Sequence, residues 1–207
     1  MKIVPLPPSQ EPEGRCRRLA RCIPALLALG GALAAGAAPP VETTEAARAP
    51  DYEIKAAFVV KFAKFVEWPA ESSAVTEKAL NVCLIGEDTT GDALKRIAER
   101  TKVDGRPVLV RTLSRAEEAR SCAIVYVGSS ETERLRPLLS ILGKMPVLTV
   151  GDAEGFAGSG GTIGFYLAEY KVRLEINPEA AAASGLKLSS QLLRLARLVR
   201  PGAKEKP

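Results

Sequence analysis

From residue 80 the chain alternates between short apolar runs and segments in which apolar residues recur every three or four positions. The runs LNVCLIG (80–86), RPVLVRTL (106–113), CAIVYVGS (122–129) and MPVLTVGD (145–152) predict four strands. They are near-continuously apolar, the signature of strands buried on both faces. Between them, GDALKRIAERT (91–101), RAEEARS (115–121) and ETERLRPLLSILG (131–143) predict helices. Pro137 lies early in the last of these, so that helix is expected to begin late or kink. Strand–helix alternation of this kind predicts an α/β fold: a three-layer α/β/α sandwich around a mostly parallel sheet.

After Asp152 the rhythm changes. AEGFAGSGG (153–161) reads as a glycine-rich loop, and TIGFYLAEYKVRLEIN (162–177) as two strands that meet near residues 168–170. This C-terminal antiparallel hairpin is expected at the edge of the sheet. Asn177-Pro178-Glu179 is a helix start, with Asn as cap, Pro at the first helical position and Glu in the first turn. In LKLSSQLLRLARLVR (186–200), Leu188, Leu192, Leu195 and Val199 fall at helical spacing and predict a final helix, followed by a tail at 201–207.

Upstream, YEIKAAFVVKFAKFVEW (52–68) reads as one amphipathic helix stopped by Pro69. Ile54, Phe58, Phe65 and Trp68 share a stripe flanked by Ala57 and Phe62, with Lys61 near its middle. Most of these aromatics are expected in the core. Lys61, Phe65 and Trp68 are the positions that core packing explains least, and they form a candidate partner-binding set.

The first 38 residues carry a basic stretch, RCRRLARC, and then an apolar run from Ile23 to Ala38 that ends in small residues. This is the pattern of a cleaved secretory signal, with Ala35-Gly36-Ala37 as the cleavage site. The run is shorter than the ~20 residues of a membrane span, the other reading of such a segment. Residues 39–50 read as a linker and 51–200 as one domain of an exported, periplasmic protein. Of the chain's net charge of +5, five basic and two acidic residues in the first 38 supply +3. The remainder is too weakly basic to track a nucleic acid.

Histidine is absent from the 207 residues. That removes Ser-His-Asp and Cys-His catalysis and histidine metal sites, and it points away from an enzyme. No cofactor or metal is expected. Beyond the signal only Cys83 and Cys122 remain, an even pair that fits a disulfide or two buried thiols. GEDTTGDA (86–93) has the glycine spacing of a phosphate loop. Asp92 and Ala93 stand where Lys and Ser or Thr are required, and Asp88 reads as a helix cap. The strand ends carry Asp88, Ser129, Ser130 and Asp152, where open α/β sheets hold ligands. Glu175, Lys187 and Ser189 form a second candidate, a small polar pocket at the hairpin end.

Taken in order, YEIKAAFVVKFAKFVEWP, LNVCLIGEDTTGDAL, GRPVLVRTLSRAEEARSCAIVYVGSSE, PVLTVGDAEGFAGSGGTIGFYLAEYKVRLEIN and GLKLSSQLLRLAR resemble the YfiR family of periplasmic regulators. The resemblance runs over residues 52–198. It implies a non-catalytic protein that holds a membrane-bound diguanylate cyclase inactive by binding its periplasmic sensory domain. Lower cyclic di-GMP and restrained biofilm formation would follow. It also implies homodimers, and an outer-membrane lipoprotein of the OmpA/Pal type that sequesters the repressor. Cys83 and Cys122 match one cysteine pair of the family. A second pair found near the glycine-rich loop in some members is missing, with Ala157 and Gly164 in that region, which predicts a looser loop. From the residues alone, a soluble periplasmic small-molecule binder is the alternative.

Overall fold

The computed structural model describes residues 49–200. The signal, most of the linker and the 201–207 tail lie outside the described residues. In chain order the elements begin with helix α1 (Asp51–Phe62), a 3-10 turn (Ala63–Phe65), β1 (Val66–Glu67), α2 (Ser73–Thr76) and β2 (Leu80–Ile85). Next come α3 (Thr89–Ala98), β3 (Lys102–Val103), β4 (Arg106–Leu113), a 3-10 segment (Ala116–Ser121) and β5 (Ile124–Val127). A 3-10 segment (Ser129–Arg134) leads into α4 (Leu135–Leu142) and β6 (Leu148–Gly151). The chain closes with β7 (Ile163–Ala168), β8 (Lys171–Ile176), α5 (Pro178–Ala183), β9 (Lys187–Leu188), α6 (Ser190–Arg194) and β10 (Ala196–Leu198).

Eight strands form one sheet in the order β10-β8-β7-β6-β5-β2-β4-β3. Neighbours from β7 to β4 run parallel, as do β10 and β8. β7–β8 and β3–β4 are antiparallel hairpins. The architecture is the predicted one, a mixed α/β fold with a mostly parallel central sheet flanked by helices. Alternation along each strand divides the core into two layers. Val82 and Leu84 join Ala56, Val59, Val60 and Leu94 on the face covered by α1 and α3. Cys83 and Ile85 join Leu135, Leu139, Leu142 and Phe156 on the other.

The Cys83–Cys122 disulfide is formed, tying β2 to the residue that leads into β5 across 39 positions of sequence. A loop of that length is worth roughly 4 kcal/mol on the chain-entropy account. Asn81 reinforces the same seam: its side-chain amide donates to Ser121 O (3.0 Å), and its carbonyl accepts from Ala123 N (2.8 Å).

Three expectations need correction. First, the opening helix ends at Phe62, six residues short of Trp68. Its buried line is Ala56, Val59, Val60 and Ala63, spaced 3, 1 and 3, rather than the aromatic stripe. Phe62 fills the core by stacking between Phe58 (6.1 Å) and Phe165 (5.9 Å). Lys61 faces solvent. Val66 is extended because β1 pairs antiparallel with β9, Val66 opposite Leu188 and Glu67 opposite Lys187. Second, the final leucines do not form one helix. α6 stops at Arg194 and β10 pairs parallel to β8, supplying partners to a row of backbone groups that would otherwise be unpaired. Third, β10 is therefore the sheet's edge, and the β7–β8 hairpin lies one and two strands inside it.

The glycine-rich loop is also firmly held. Phe156 is fully buried against Gly151 and Gly161, where an added Cβ would come within 2.5 and 2.1 Å of its ring. Ala157 N donates to Glu175 Oε1 (3.2 Å), and Asn177 Nδ2 donates to Ala157 O (2.9 Å). Thr149 Oγ1 accepts from Thr162 N (2.9 Å). A plug and a buried hydrogen-bond set constrain the loop without a second disulfide.

Candidate functional site

The chain goes from β2 to β4 on one side and then returns to β5 on the other, so the carboxyl ends of β2 and β5 flank a topological switch point. The seam between β2 and β5 is bridged by the protein's own side chains, while a cleft of about 690 Å³ opens beside it, lined by Glu87, Thr112, Arg115, Ser130 and Glu131 among others. Asp88 caps α3 by accepting from Gly91 N (2.7 Å), and its other oxygen accepts from Tyr126 Oη (2.8 Å) and Ser129 N (3.2 Å). Ser130 Oγ accepts from Glu87 N (2.9 Å). Burial pushes the Tyr126 phenol far above its ordinary range, and the charges of Asp152 and Asp88 push in the same direction. Tyr126 therefore stays a neutral donor to Asp88.

A second, more polar cleft lies where β6 meets the hairpin. A volume of about 400 Å³ is lined by Lys55, Asp152, Phe165, Tyr166, Glu175 and Arg197, among others. Two ion pairs frame it. Lys55 Nζ sits 3.0 Å from Asp152 Oδ2, joining the second turn of α1 to the end of β6. Arg197 of β10 sits 3.0 Å from Glu175 Oε2 of β8 and lies over the Tyr166 ring at 4.5 Å. Gly164 faces Glu175 across the hairpin, and a Cβ there would meet Glu175 Oε1 at 2.7 Å. Asp152 Oδ1 is buried and has no hydrogen-bond partner. An orphaned carboxylate oxygen in such a place favours an N–H or O–H donor beside it.

Around this cleft the surface is apolar. Register puts Leu167, Val172, Ala196 and Leu198 on the sheet face that α1 covers, yet Leu167 and Leu198 remain 57% and 56% exposed. Leu195 is 71% exposed, and Tyr170, at the hairpin turn, is 89% exposed. Glu169 and Tyr170 both have positive φ (52° and 57°), so the turn spends a strained backbone on two non-glycine residues and carries the tyrosine at its tip.

The sequence candidates are regrouped. Glu175 belongs to the cleft, but Lys187 and Ser189 are not among the residues that line it. Lys187 lies in the β1–β9 ribbon, and Ser189 caps α6 by accepting from Leu192 N (3.2 Å) while its own N–H donates to Phe65 O (2.9 Å). Phe65 and Trp68 are half-buried beside that ribbon, with Trp68 Nε1 donating to Ala123 O (3.3 Å). Thus Phe65, Trp68, Lys187 and Ser189 share one region, at the amino ends of the strands, whereas Glu175 is at the hairpin. Lys55 and Arg197 escaped the sequence reading. Lys55 pairs across 97 residues, and Arg197 had been placed on a helix. The signal that could have found the first was Asp152 itself, a carboxylate ending a buried strand.

Fold and site together define a class: an α/β/α domain with a structural disulfide, a switch point bridged by its own side chains and a hairpin that leaves leucines in solvent. The YfiR/HmsC-like family profile matches residues 52–197, and the chain belongs to that family. It is a regulatory, non-catalytic family of periplasmic proteins that act with a membrane sensor protein and regulate diguanylate cyclase. Among the described residues, no helix is long and apolar enough to cross a membrane.

Two solved structures are similar to this chain at low identity. The ABC domain from Streptococcus pneumonia, in complex with L-Trp, is 12% identical with a TM-score of 0.50 over 70% of this chain and 60% of that one. A conserved domain protein from Vibrio cholerae O1 biovar El Tor is 11% identical with a TM-score of 0.45, covering 59% and 55%. The chain thus spans less than two thirds of either neighbour. The first likeness extends to the fold and no further.

Proposed function

We propose that this protein is an exported inhibitory subunit that binds the periplasmic sensory domain of a membrane-bound diguanylate cyclase, lowers cyclic di-GMP and restrains biofilm formation. The observation that carries this reading is the family match, which runs from the first turn of α1 into β10 and so includes every element of the domain. The exposed Leu167, Leu195 and Leu198 of the hairpin and β10 support it, because large apolar side chains left in solvent gain by being covered in an interface. Leu167, Leu195 and Leu198 are the contact residues in this reading, with Lys61, Phe65 and Trp68 as a second contact region. Inhibition requires tighter binding to the cyclase's inactive state than to its active one, since equal affinity shifts nothing. Residues 1–38 act as the export signal and 39–50 as a linker to the 51–200 domain. The working form is a homodimer, and an OmpA/Pal-type lipoprotein competes with the cyclase for it.

The test is cyclic di-GMP in the source bacterium with and without the gene, restored once with the signal and once without. A rise on deletion, reversed only by the exported form, is the expected result. No change under conditions where the gene is expressed would overturn the reading.

One observation favours a second reading, a small-molecule binder. In this reading an amine or hydroxyl ligand donates to the orphaned Asp152 Oδ1 and completes the cleft. A ligand bound only by the native state raises its melting temperature, so a thermal-shift screen of amines and polyols separates the two. Under this reading Asp152→Asn abolishes the shift.

A further inference from the structure

Beyond the hairpin surface, the opposite margin of the sheet has a feature that neither reading uses. β4 pairs with β2 along its whole inner edge, Val108–Leu113 opposite Leu80–Ile85. Along the outer edge β3 covers only Arg106 and Pro107. From 108 to 113 no strand among the described residues pairs with that edge, and about half of the backbone N–H and C=O groups there point outward. Leu109, in the middle of the open stretch, is 51% exposed.

Two clefts border the same stretch. One, about 450 Å³, runs between the carboxyl end of α3 and Pro107–Val110, with Lys95, Arg100 and Lys102 on its wall against a single Glu99. The other, about 690 Å³, reaches Thr112 and Leu113 and is mixed: Ala116, Leu138 and Ile141 give it an apolar part, and Arg115, Arg134, Glu87, Glu117 and Glu131 also line it. A strand laid along β4 would send alternate side chains toward the basic cleft on one face and toward the apolar part of the mixed cleft on the other. The exposed Arg111 lies midway on β4.

We propose that the open edge of β4 is a docking site for an extended segment of a partner protein in which acidic and apolar residues alternate. Main-chain hydrogen bonds to residues 108–113 supply the affinity, and the two clefts supply the choice of side chains. The charge of the margin argues for an acidic partner rather than a second copy. Antiparallel self-pairing of 108–113 would bring the exposed Arg111 of both copies close together, and like charges set near each other across strands are destabilising. This site does not depend on the cyclase reading, which uses the other end of the sheet.

The experiment is amide hydrogen exchange of the full chain, alone and with two short peptides, one alternating valine with glutamate and one alternating valine with lysine. Outward amides of 108–113 are expected to exchange freely at low and high protein concentration, and to slow about tenfold with the glutamate peptide only. Arg111→Glu gives up only an exposed hydrogen bond to the Ser121 hydroxyl, so it should shift the melting temperature by no more than a few degrees, weaken the glutamate peptide roughly tenfold and strengthen the lysine peptide. Any one of four results overturns the proposal: amides already protected in the dilute protein, protection that appears only on concentration, equal binding of both peptides, or no binding of either. The first would assign the edge to the chain's own upstream segment, and the second to another copy.

Discussion

The β2–β5 half of the sheet and its hairpin half are built from the same kinds of element and use them in opposite ways. At the β2–β5 switch point Asp88, Tyr126 and Ser130 all have internal partners. Asp88 serves a helix cap, a phenol and a backbone amide at once, and a disulfide locks the strands beneath it. In the hairpin half, charged pairs bridge elements distant in sequence, one carboxylate oxygen is left without a partner, and leucines stand in solvent. One region spends its polar groups on holding loops together, and the other leaves charged and apolar groups at the surface where the strand direction reverses.

That contrast can be broken in several places. Phe156→Ala should have the largest effect, about 3–5 kcal/mol of stability, because the ring plugs two glycines and its loss leaves a cavity under the loop. Chemical denaturation would measure it, and a cost below ~1 kcal/mol would mean that the loop is not anchored as described. Cys83→Ser should lower the stability of the oxidised protein by roughly 2–4 kcal/mol and the melting temperature accordingly. An unchanged melting curve, with two titratable thiols in the wild type, would show that the bond does not form.

Tyr126→Phe tests the bridged switch point more finely. Removing the hydroxyl forfeits its bond to Asp88, about 1–1.5 kcal/mol near neutral pH. The folded phenol ionises above its ordinary value of 10.0, so the folded state holds a proton that the unfolded state releases. The stability this bond contributes is therefore complete below about pH 10 and falls as the pH rises beyond it. Stability curves of the two proteins should converge in that window, and parallel curves would contradict the assignment. The smallest stability effect belongs to Leu167→Glu with Leu198→Glu. Both side chains are already more than half exposed, so the change should stay within about 0.5 kcal/mol while partner binding is lost.

The parts of the fold that follow local rules were legible. Four strands announced themselves as apolar runs, three of them buried (β2, β5, β6) and β4 largely exposed because it lies near the sheet's margin, and Asp88 and Asn177 cap their helices as their positions imply. What escaped were strands of two or three residues. β1, β9 and β10 are extended because of what they pair with, not because of their own composition. Leu188, Leu192, Leu195 and Val199 mimic a helical face, and only the waiting edge of β8 makes Ala196–Leu198 a strand. The same error hid half of the cleft. Glu175 was visible as a carboxylate at a strand end, but its partner Arg197 seemed to be one more arginine on a helix surface. Lys55 was invisible because nothing local ties the second turn of α1 to a residue 97 positions away.

The most direct test of the central claim is complementation of the gene deletion with the exported Leu167→Glu/Leu198→Glu protein, reading cellular cyclic di-GMP. If the hairpin surface holds a cyclase inactive, cyclic di-GMP stays as high as in the deletion strain, although the variant is folded and exported at wild-type level. Full return to the wild-type level would contradict the account.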